Sequence, residues 1–324
     1  MRVMINGFGR IGRTVLRAWL QGGWPGLEIV AINDIAEAET CAYLLEFDSV
    51  FGPLAGGVDV EPGALVVAGH RLPLTRHADL AALDLRGVDL VLECTGRADS
   101  RPLAEAGLRA GARRVLISGP SEAADATLVL GANDHLLTDT MRVVSNASCT
   151  TNALAPLVRL LDQTFGVTAG WMTTIHCYTG SQPTVDAPRS SDPARNRAAA
   201  LSMVPTTTSA GRLLDRVLPD LAGRIECAAV RVPTASVSAV DLCVVPARPV
   251  SVAEVNAVLR AAGGVIGWTA KPLVSTDLRA RPESIVMALP ETRVTGGGLL
   301  RVFGWYDNEW GFSCRMLDMA LRMG

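Results

Sequence analysis

Lysine is almost absent from this chain: of its 30 basic residues only Lys271 is a lysine, and the rest are arginines. A Walker P-loop needs Gly-Lys-Ser/Thr, and Lys271 stands in Thr-Ala-Lys-Pro, so that phosphate-binding loop is excluded. Lys271 is also the sole residue able to form a Schiff base. Paired cysteine motifs are missing too. The seven cysteines, at 41, 94, 149, 177, 227, 243 and 314, are odd in number and none lie at CxxC spacing, which argues against a disulfide framework or a zinc site. There is no HExxH, and no metal site is expected. No apolar run approaches the roughly 18 residues of a membrane-spanning helix. The opening Met-Arg-Val-Met-Ile-Asn-Gly-Phe-Gly-Arg turns polar too early for a secretory signal. A net charge of −2 gives no global pull toward nucleic acid or an anionic membrane, so neither is expected as a partner. A reducing cytoplasm is the simplest compartment for such a chain.

What is present in quantity is apolar surface. Of 324 residues, 49% are hydrophobic and 19% charged, enough to build large cores. At about 150 residues per domain the length suggests two domains. The first half alternates short apolar runs with helical periodicity. Val3–Ile5, Leu27–Ile32, Leu90–Glu93, Val115–Ile117 and Val143–Ser145 read as strands, with short β runs between Val58 and Leu74. Arg10–Leu20, Glu37–Glu46 and Arg101–Ala110 read as helices. Such alternation predicts an α/β domain with a parallel, doubly wound sheet. Near Ser148 the texture changes. A helix is expected from Ser148 to Phe165, bent by Pro156. Longer β runs follow at Trp171–Tyr178, Glu226–Val232, Ser236–Val245 and Leu299–Tyr306, as in an antiparallel sheet, and Ser313–Met323 closes the chain as an amphipathic helix. The polar stretch Thr179–Ser202, with three prolines, is a long loop of the kind that usually carries function.

Two motifs carry chemistry. Gly7-Phe8-Gly9-Arg10-Ile11-Gly12 follows a strand and opens a helix. Gly7 permits the tight turn, Gly9 lets the backbone approach a pyrophosphate, and Gly12 lets helix pack on strand, while the helix N-terminus attracts the phosphates. Asp34, at the end of the second strand, is placed to bind ribose hydroxyls and to repel a 2′-phosphate, which favours NAD over NADP. The second motif is Ser145-Asn146-Ala147-Ser148-Cys149-Thr150-Thr151-Asn152, which puts Cys149 in the first turn of a helix. There the dipole and unpaired N–H groups are expected to lower a thiol pKa. The other cysteines sit mostly in apolar runs and read as buried small hydrophobes. Of four histidines, only His176 shares the second domain with Cys149, and a Cys–His pair can generate thiolate and then return the proton.

These motifs, with Thr174-Ile175-His176, Pro205-Thr206-Thr207-Thr208, Arg231-Val232-Pro233-Thr234 and Trp305-Tyr306-Asp307-Asn308-Glu309-Trp310-Gly311 in that order, resemble the phosphorylating glyceraldehyde-3-phosphate dehydrogenase family along essentially the whole chain. The resemblance implies an α/β chain with a Rossmann NAD-binding domain over 1–148, to which a C-terminal helix 313–323 returns. It implies an α+β catalytic domain over 149–312, with a mixed, largely antiparallel sheet and a long loop over 178–202. It further implies a homotetramer, an aldehyde-phosphate substrate and inorganic phosphate. In the implied mechanism Cys149 forms a thiohemiacetal, His176 acts as base during hydride transfer, and phosphate attacks the resulting thioester, with the Cys149 N–H and His176 as oxyanion donors. By the same resemblance Thr179, Arg195 and Arg231 hold phosphate groups, with Ser148, Thr150 and Thr208 as hydroxyl donors around them. Asn308 matches the residue that holds the nicotinamide carboxamide. Arg10, Ile11, Thr95 and Ser118 match positions lining the dinucleotide, and Arg76 matches one near the adenine end.

The chain departs from the usual family pattern at Gly180-Ser181-Gln182, where an Asp is lost, at Pro193-Ala194-Arg195, where one arginine is lost, and at Ser209, Phe312 and Cys314. None removes the Cys149–His176 chemistry. Erythrose-4-phosphate dehydrogenase is the near alternative: Phe312 and the Ser145–Ser148 run suit it, whereas Tyr178-Thr179 and Pro205–Thr208 favour glyceraldehyde 3-phosphate. A third reading is an NAD-binding regulatory paralogue, motivated by Ser181 and Ala194 and opposed by the intact Cys149–His176 pair.

Overall fold

Short β-branched and leucine-rich runs make the first sheet, buried on both sides in its central strands and exposed in the outer meander. The computed structural model describes residues 1–324. Its first nine strands are β1 (Arg2–Asn6), β2 (Glu28–Asn33), β3 (Val58–Glu61), β4 (Ala64–Val67), β5 (His70–Thr75), β6 (Leu90–Glu93), β7 (Arg114–Ile117), β8 (Ala126–Thr127) and β9 (Val143–Ser145). They lie in the order β3-β4-β5-β2-β1-β6-β7-β9-β8. Every pair from β5 to β8 is parallel, and only the β3-β4-β5 meander is antiparallel. The strand order reverses at β1, which has β2 on one side and β6 on the other. The carboxyl ends of these three strands therefore form the crevice in which sheets of this topology take ligands.

The helices of this half are α1 (Arg10–Leu20), α2 (Ala38–Glu46), α3 (Arg101–Ala104) and α4 (Ala106–Arg109). The single helix expected over Arg101–Ala110 is thus two short ones. Glu105 breaks it with ψ of 3°. A Cβ on Gly107 would lie 3.0 Å from Val91 and 3.1 Å from Val115, so α4 seats directly on β6 and β7, and the break permits that approach. Met4, Val91, Val115 and Val143 pack there with Ala104, Ala106 and Ala110.

The second half opens with α5 (Cys149–Phe165), which runs through Pro156 as one helix. Then come β10 (Val167–Cys177), β11 (Val204–Thr206), α6 (Ala210–Val217), β12 (Ile225–Val232), β13 (Ser238–Pro246), α7 (Val252–Ala261), β14 (Ile266–Thr269), β15 (Ile285–Ala288), β16 (Arg293–Val294), β17 (Leu300–Tyr306) and α8 (Trp310–Arg322). The sheet order is β11-β12-β10-β13-β17-β15-β14, with β16 beside β17. The β12–β10 and β14–β15 pairs are parallel and the others antiparallel, which gives the mixed, largely antiparallel sheet expected. On β10 the period of two is plain: Met172, Thr174 and His176 are buried, whereas Trp171 and Ile175 face solvent.

Three element starts differ from expectation by two residues or more: β10 begins at Val167 rather than Trp171, and the other two differ for a local reason. β13 begins at Ser238 rather than Ser236 because Val237 takes φ of 65°, outside any strand. α8 begins at Trp310 rather than Ser313 because Asp307 Oδ1 accepts the amides of Glu309 (3.0 Å) and Trp310 (2.8 Å) and caps the helix. The short helices α6 and α7 were not anticipated. The stretch 179–202 carries no helix or strand beyond one 3₁₀ turn, Pro193–Asn196. By internal contacts the chain divides into Met1–Leu128 with Asp134–Ala147 and Ser313–Gly324, and Val129–Asn133 with Ser148–Phe312. No helix is long and apolar enough to cross a membrane.

Candidate active site

Cys149 owes its position to a capped helix start. After β9 the chain turns at Ala147, whose φ is 55°, and Ser148 becomes the N-cap of α5. Ser148 Oγ accepts the amide of Thr151 at 3.1 Å and contacts the Thr151 hydroxyl at 2.8 Å, so this hydroxyl is occupied in building the helix. Cys149 is then the first helical residue.

The sheet brings the partners. Parallel pairing of β10 with β12 sets His176 beside Arg231, and antiparallel pairing of β13 with β17 sets Ser238 beside Tyr306. Cys149 Sγ lies 3.7 Å from His176 Nε2. On the other side of the ring, Nδ1 is 2.7 Å from the Cys177 carbonyl and 2.7 Å from Arg231 Nη1, which also donates to that carbonyl at 2.8 Å. The first contact needs a proton on Nδ1 and the second needs a bare Nδ1, so the two are alternatives and Arg231 decides between them. Tyr306 packs edge-on against the imidazole, with centroids 6.0 Å apart. Its hydroxyl bridges Thr150 Oγ1 (2.9 Å) and Thr174 Oγ1 (2.8 Å), tying the helix start to the floor strand.

The electrostatics correct the expectation of a thiol acidified by its helix alone. Burial pushes the Cys149 thiol up, against the pull of Arg231, of the Thr150 hydroxyl and of the amides of Thr150 and Cys149. Burial, then the positive charge of Arg231, hold the His176 imidazole down at about 4, opposed by the Cys177 carbonyl. Both groups thus rest neutral near pH 7, and the ion pair has to be made by proton transfer between them.

Among the expected phosphate ligands, Arg231 joins this row directly, and Thr150 sits beside the nucleophile. Thr179 Oγ1 contacts Ser181 Oγ at 3.0 Å, so a hydroxyl pair occupies the place where a carboxylate is usual. Thr208 Oγ1 accepts the Ala210 amide at 3.1 Å ahead of α6. Arg195 lies in the 3₁₀ turn of the long loop, and its guanidinium makes no hydrogen bond or ion pair.

The glycine loop is a separate construction, made from backbone. Gly7 has φ of 90°, and a Cβ on it would lie 2.6 Å from the Thr95 amide. A Cβ on Gly12 would lie 2.1 Å from the Gly7 carbonyl, so only glycine lets α1 close onto the turn. The space around Gly9 is open and no acid sits in the first turn of α1, so the positive end of the helix dipole faces the turn unopposed. Asp34 Oδ2 accepts the Phe8 amide at 2.6 Å and Oδ1 the Ala36 amide at 2.9 Å. Gly7, Gly9, Asp34 and Thr95 line a cleft of about 310 Å³. Arg10, Ile11, Gly12, Arg76 and Ser118 do not line it. Arg10 pairs with Asp48 and stacks on Phe51, Arg76 pairs with Glu37 at 2.6 Å, and Ser118 bonds Cys94. The residues present fit a dinucleotide: a glycine turn too tight for Cβ atoms at Gly7 and Gly12, a helix start and a carboxylate at the second strand end.

Residues 148–308 match the family model described as glyceraldehyde 3-phosphate dehydrogenase, C-terminal domain, and residues 1–101 match its NAD binding domain. Proteins named glyceraldehyde-3-phosphate dehydrogenase from Cereibacter sphaeroides (47% identical) and Xanthobacter flavus (48%) each align with 100% of this chain and 98% of their own length. One from Pseudomonas aeruginosa is 47% identical over the same shares. The chain belongs to the glyceraldehyde-3-phosphate dehydrogenase family.

Membership gives the Trp-Tyr-Asp-Asn motif of this dehydrogenase a residue-by-residue physical meaning here. Tyr306 supports the imidazole, Asp307 caps α8, and Asn308 Oδ1 receives the Cys177 thiol at 3.1 Å. Sequence reasoning missed a polar chain under the glycine loop. Glu93 accepts from Asn6, Asn6 Oδ1 accepts from Asn33, and Asn33 bonds the His77 backbone twice. The signal was available: Asn6, Asn33 and Glu93 each end a strand directly after an apolar run.

Proposed function

We propose that this chain is an NAD-dependent phosphorylating glyceraldehyde-3-phosphate dehydrogenase, converting glyceraldehyde 3-phosphate to 1,3-bisphosphoglycerate through a thioester on Cys149. The observation that carries the reading is one row of side chains, Cys149–His176–Arg231, in which a nucleophile, a base and a cation stand within hydrogen-bonding reach of one another.

Cys149 Sγ attacks the aldehyde carbon while His176 Nε2 takes the thiol proton and passes it to the carbonyl oxygen, giving a thiohemiacetal and leaving Nε2 free again to act as base. Nε2 can accept only when the ring carries its proton on Nδ1, where the Cys177 carbonyl receives it at 2.7 Å. Arg231 competes for that same nitrogen. A substrate phosphate that engages Arg231 draws the guanidinium away and readies the base. His176 next removes the hydroxyl proton as hydride leaves the carbon, and the Cys149 amide and the protonated Nε2 serve the developing oxyanion. Bound NAD supplies the hydride acceptor. Inorganic phosphate then attacks the thioester, the Cys149 thiolate leaves, and the acyl phosphate departs.

In this reading Arg195, Arg231, Thr179, Thr208, Thr150 and Ser148 serve the phosphate groups, and the unpaired Arg195 guanidinium supports it. Gly7, Gly9, Gly12, Asp34, Arg10, Ile11, Thr95, Ser118, Arg76 and Asn308 serve NAD, supported by the glycine geometry above. A homotetramer is supported by apolar side chains left in solvent. Leu201 is 85% and Met203 74% exposed at the end of the long loop and just after it, and Trp171 is 55% exposed on the outer sheet face. Seven cysteines without a disulfide among them support the cytoplasm as its compartment.

The deciding assay follows NADH formation with glyceraldehyde 3-phosphate and with erythrose 4-phosphate, each with and without inorganic phosphate. We expect phosphate-dependent turnover, faster with the three-carbon substrate. The opposite preference would move the assignment to erythrose 4-phosphate, and no turnover with either would leave an NAD-binding paralogue.

A further inference from the structure

Three polar side chains stand in one layer across the carboxyl ends of the central strands. Parallel pairing sets Asn6 of β1 beside Asn33 of β2 and beside Glu93 of β6. All three are buried, and all three line the cleft at the glycine turn. The direction of the hydrogen bonds among them is set from one end. The His77 amide donates to Asn33 Oδ1 at 3.0 Å, and the His77 carbonyl accepts from Asn33 Nδ2 at 2.9 Å. A backbone amide can only donate and a carbonyl can only accept, so Asn33 has one orientation. Its Nδ2 also donates to Asn6 Oδ1 at 2.8 Å, which turns Asn6 Nδ2 onto Glu93 Oε2. From the other side the Thr95 amide donates to Glu93 Oε1 at 2.9 Å. Each oxygen of Glu93 therefore faces a donor that cannot accept. The Thr95 hydroxyl, also on Oε1, is the one contact able to run either way.

Such a setting suits an ionised carboxylate, because a proton on either oxygen would weaken an obligatory acceptor. No cation pairs with this carboxylate, and Arg97, which lines the same cleft, is exposed and does not reach it. A negative charge is thus built into the cleft wall and left uncompensated. NAD and NADH differ in charge at one place, the nicotinamide ring, which is positive when oxidised and neutral when reduced. In the NAD-dependent reading Asp34, at the end of β2, takes the adenosine ribose. β6 lies across β1 from β2, so the nicotinamide half falls to the side of Glu93.

We propose that Glu93 is a specificity-determining residue for the redox state of the cofactor: its buried carboxylate makes this cleft hold NAD more tightly, relative to NADH, than a neutral wall would. This rests on the NAD-dependent reading of the preceding subsection.

The test is the ratio of the NADH Kd to the NAD Kd, titrated without substrate, with ADP-ribose as the ligand that lacks the ring. Glu93→Gln removes the charge at constant shape and should lower that ratio about 4- to 16-fold, the effect of one unit charge over roughly 10–20 Å at an effective dielectric near 20. It also sets a donor against a donor, and that fault should weaken all three ligands alike. Asn6→Asp combined with Glu93→Gln repairs it. The glutamine then donates to the aspartate, which still accepts from Asn33, and the anion returns to the layer one strand over. This double variant should bring the ratio back toward that of the wild type and restore ADP-ribose binding. Asn6→Ser combined with Glu93→Gln leaves the layer neutral with a hydroxyl to accept from the glutamine, and stands in should Glu93→Gln alone fail to fold. An unchanged ratio in the neutral variants overturns the proposal, even if all three ligands weaken together, since that marks Glu93 as a brace for the Thr95 turn. A double variant that regains ADP-ribose binding without regaining the ratio overturns it as well. Wild-type protein that binds neither NAD nor ADP-ribose would instead overturn the NAD-dependent reading itself.

Discussion

The glycine loop and the cysteine row are built from opposite materials. At the loop, function comes from what is missing: a Cβ on Gly7 or Gly12 would collide with backbone at 2.6 or 2.1 Å, and the working groups are main-chain amides. At the row, function comes from side chains that sequence keeps far apart. His176 is 27 residues from Cys149 and 55 from Arg231, and they meet only because β10 and β12 pair in one register. A backbone site is written contiguously in the chain because one turn makes it. A side-chain site is distributed, because several elements must each contribute one group. The two should therefore fail in opposite ways, one by adding atoms and the other by removing them.

The largest expected effect is subtraction at the row. Cys149→Ser should lower NADH formation by orders of magnitude, because a hydroxyl at that helix start is far less ionised than a thiol, while the NAD Kd stays within about twofold. Turnover like that of the parent would end the thioester mechanism. A smaller loss is expected from Arg231→Ala. A charge-assisted hydrogen bond is worth about 1.5–3 kcal/mol, so the KM for the aldehyde phosphate should rise about 10- to 150-fold, with much less effect on plain glyceraldehyde. Equal damage to both substrates would make Arg231 structural. The smallest effect should come from addition at the loop. Gly12→Ala forces α1 off the turn, an overpacking that costs about 1–3 kcal/mol, and should weaken NAD by about 5- to 150-fold. Alkylation of Cys149 by iodoacetamide should proceed as before. An alanine variant that binds NAD normally would show that the loop tolerates a side chain, and would erase the contrast between the two sites.

Local signals were legible without coordinates. The apolar runs marked β1, β2, β6, β7 and β9 to within two residues, since central strands of a parallel sheet leave a near-continuous apolar word, and β12, β13 and β17 as well; β8, β11, β14, β15 and β16 went unread. The place of Cys149 in the first turn of a helix followed from Ser-Cys-Thr-Thr ahead of an apolar run; that Ser148 stands outside the helix as its cap did not. α6 and α7 were not anticipated; both lie in the longer, irregular connections between strands. Val237 was also invisible, because nothing in Ala-Ser-Val-Ser announces a β-branched residue in the left-handed region. Only the pocket of Leu278 and Val286 holds it there.

The sequence by itself therefore determined the chemistry available: a thiol at a helix start, an imidazole at a strand end, a glycine turn with a carboxylate after the next strand. It also carried the family motifs in order. Tertiary structure alone decided the state of those groups. Burial raised the Cys149 thiol that its helix position alone would lower, and burial, seconded by the Arg231 that strand register sets against it, keeps the His176 base neutral. Desolvation and register are sums over elements distant in the chain, and no local stretch of residues contains them.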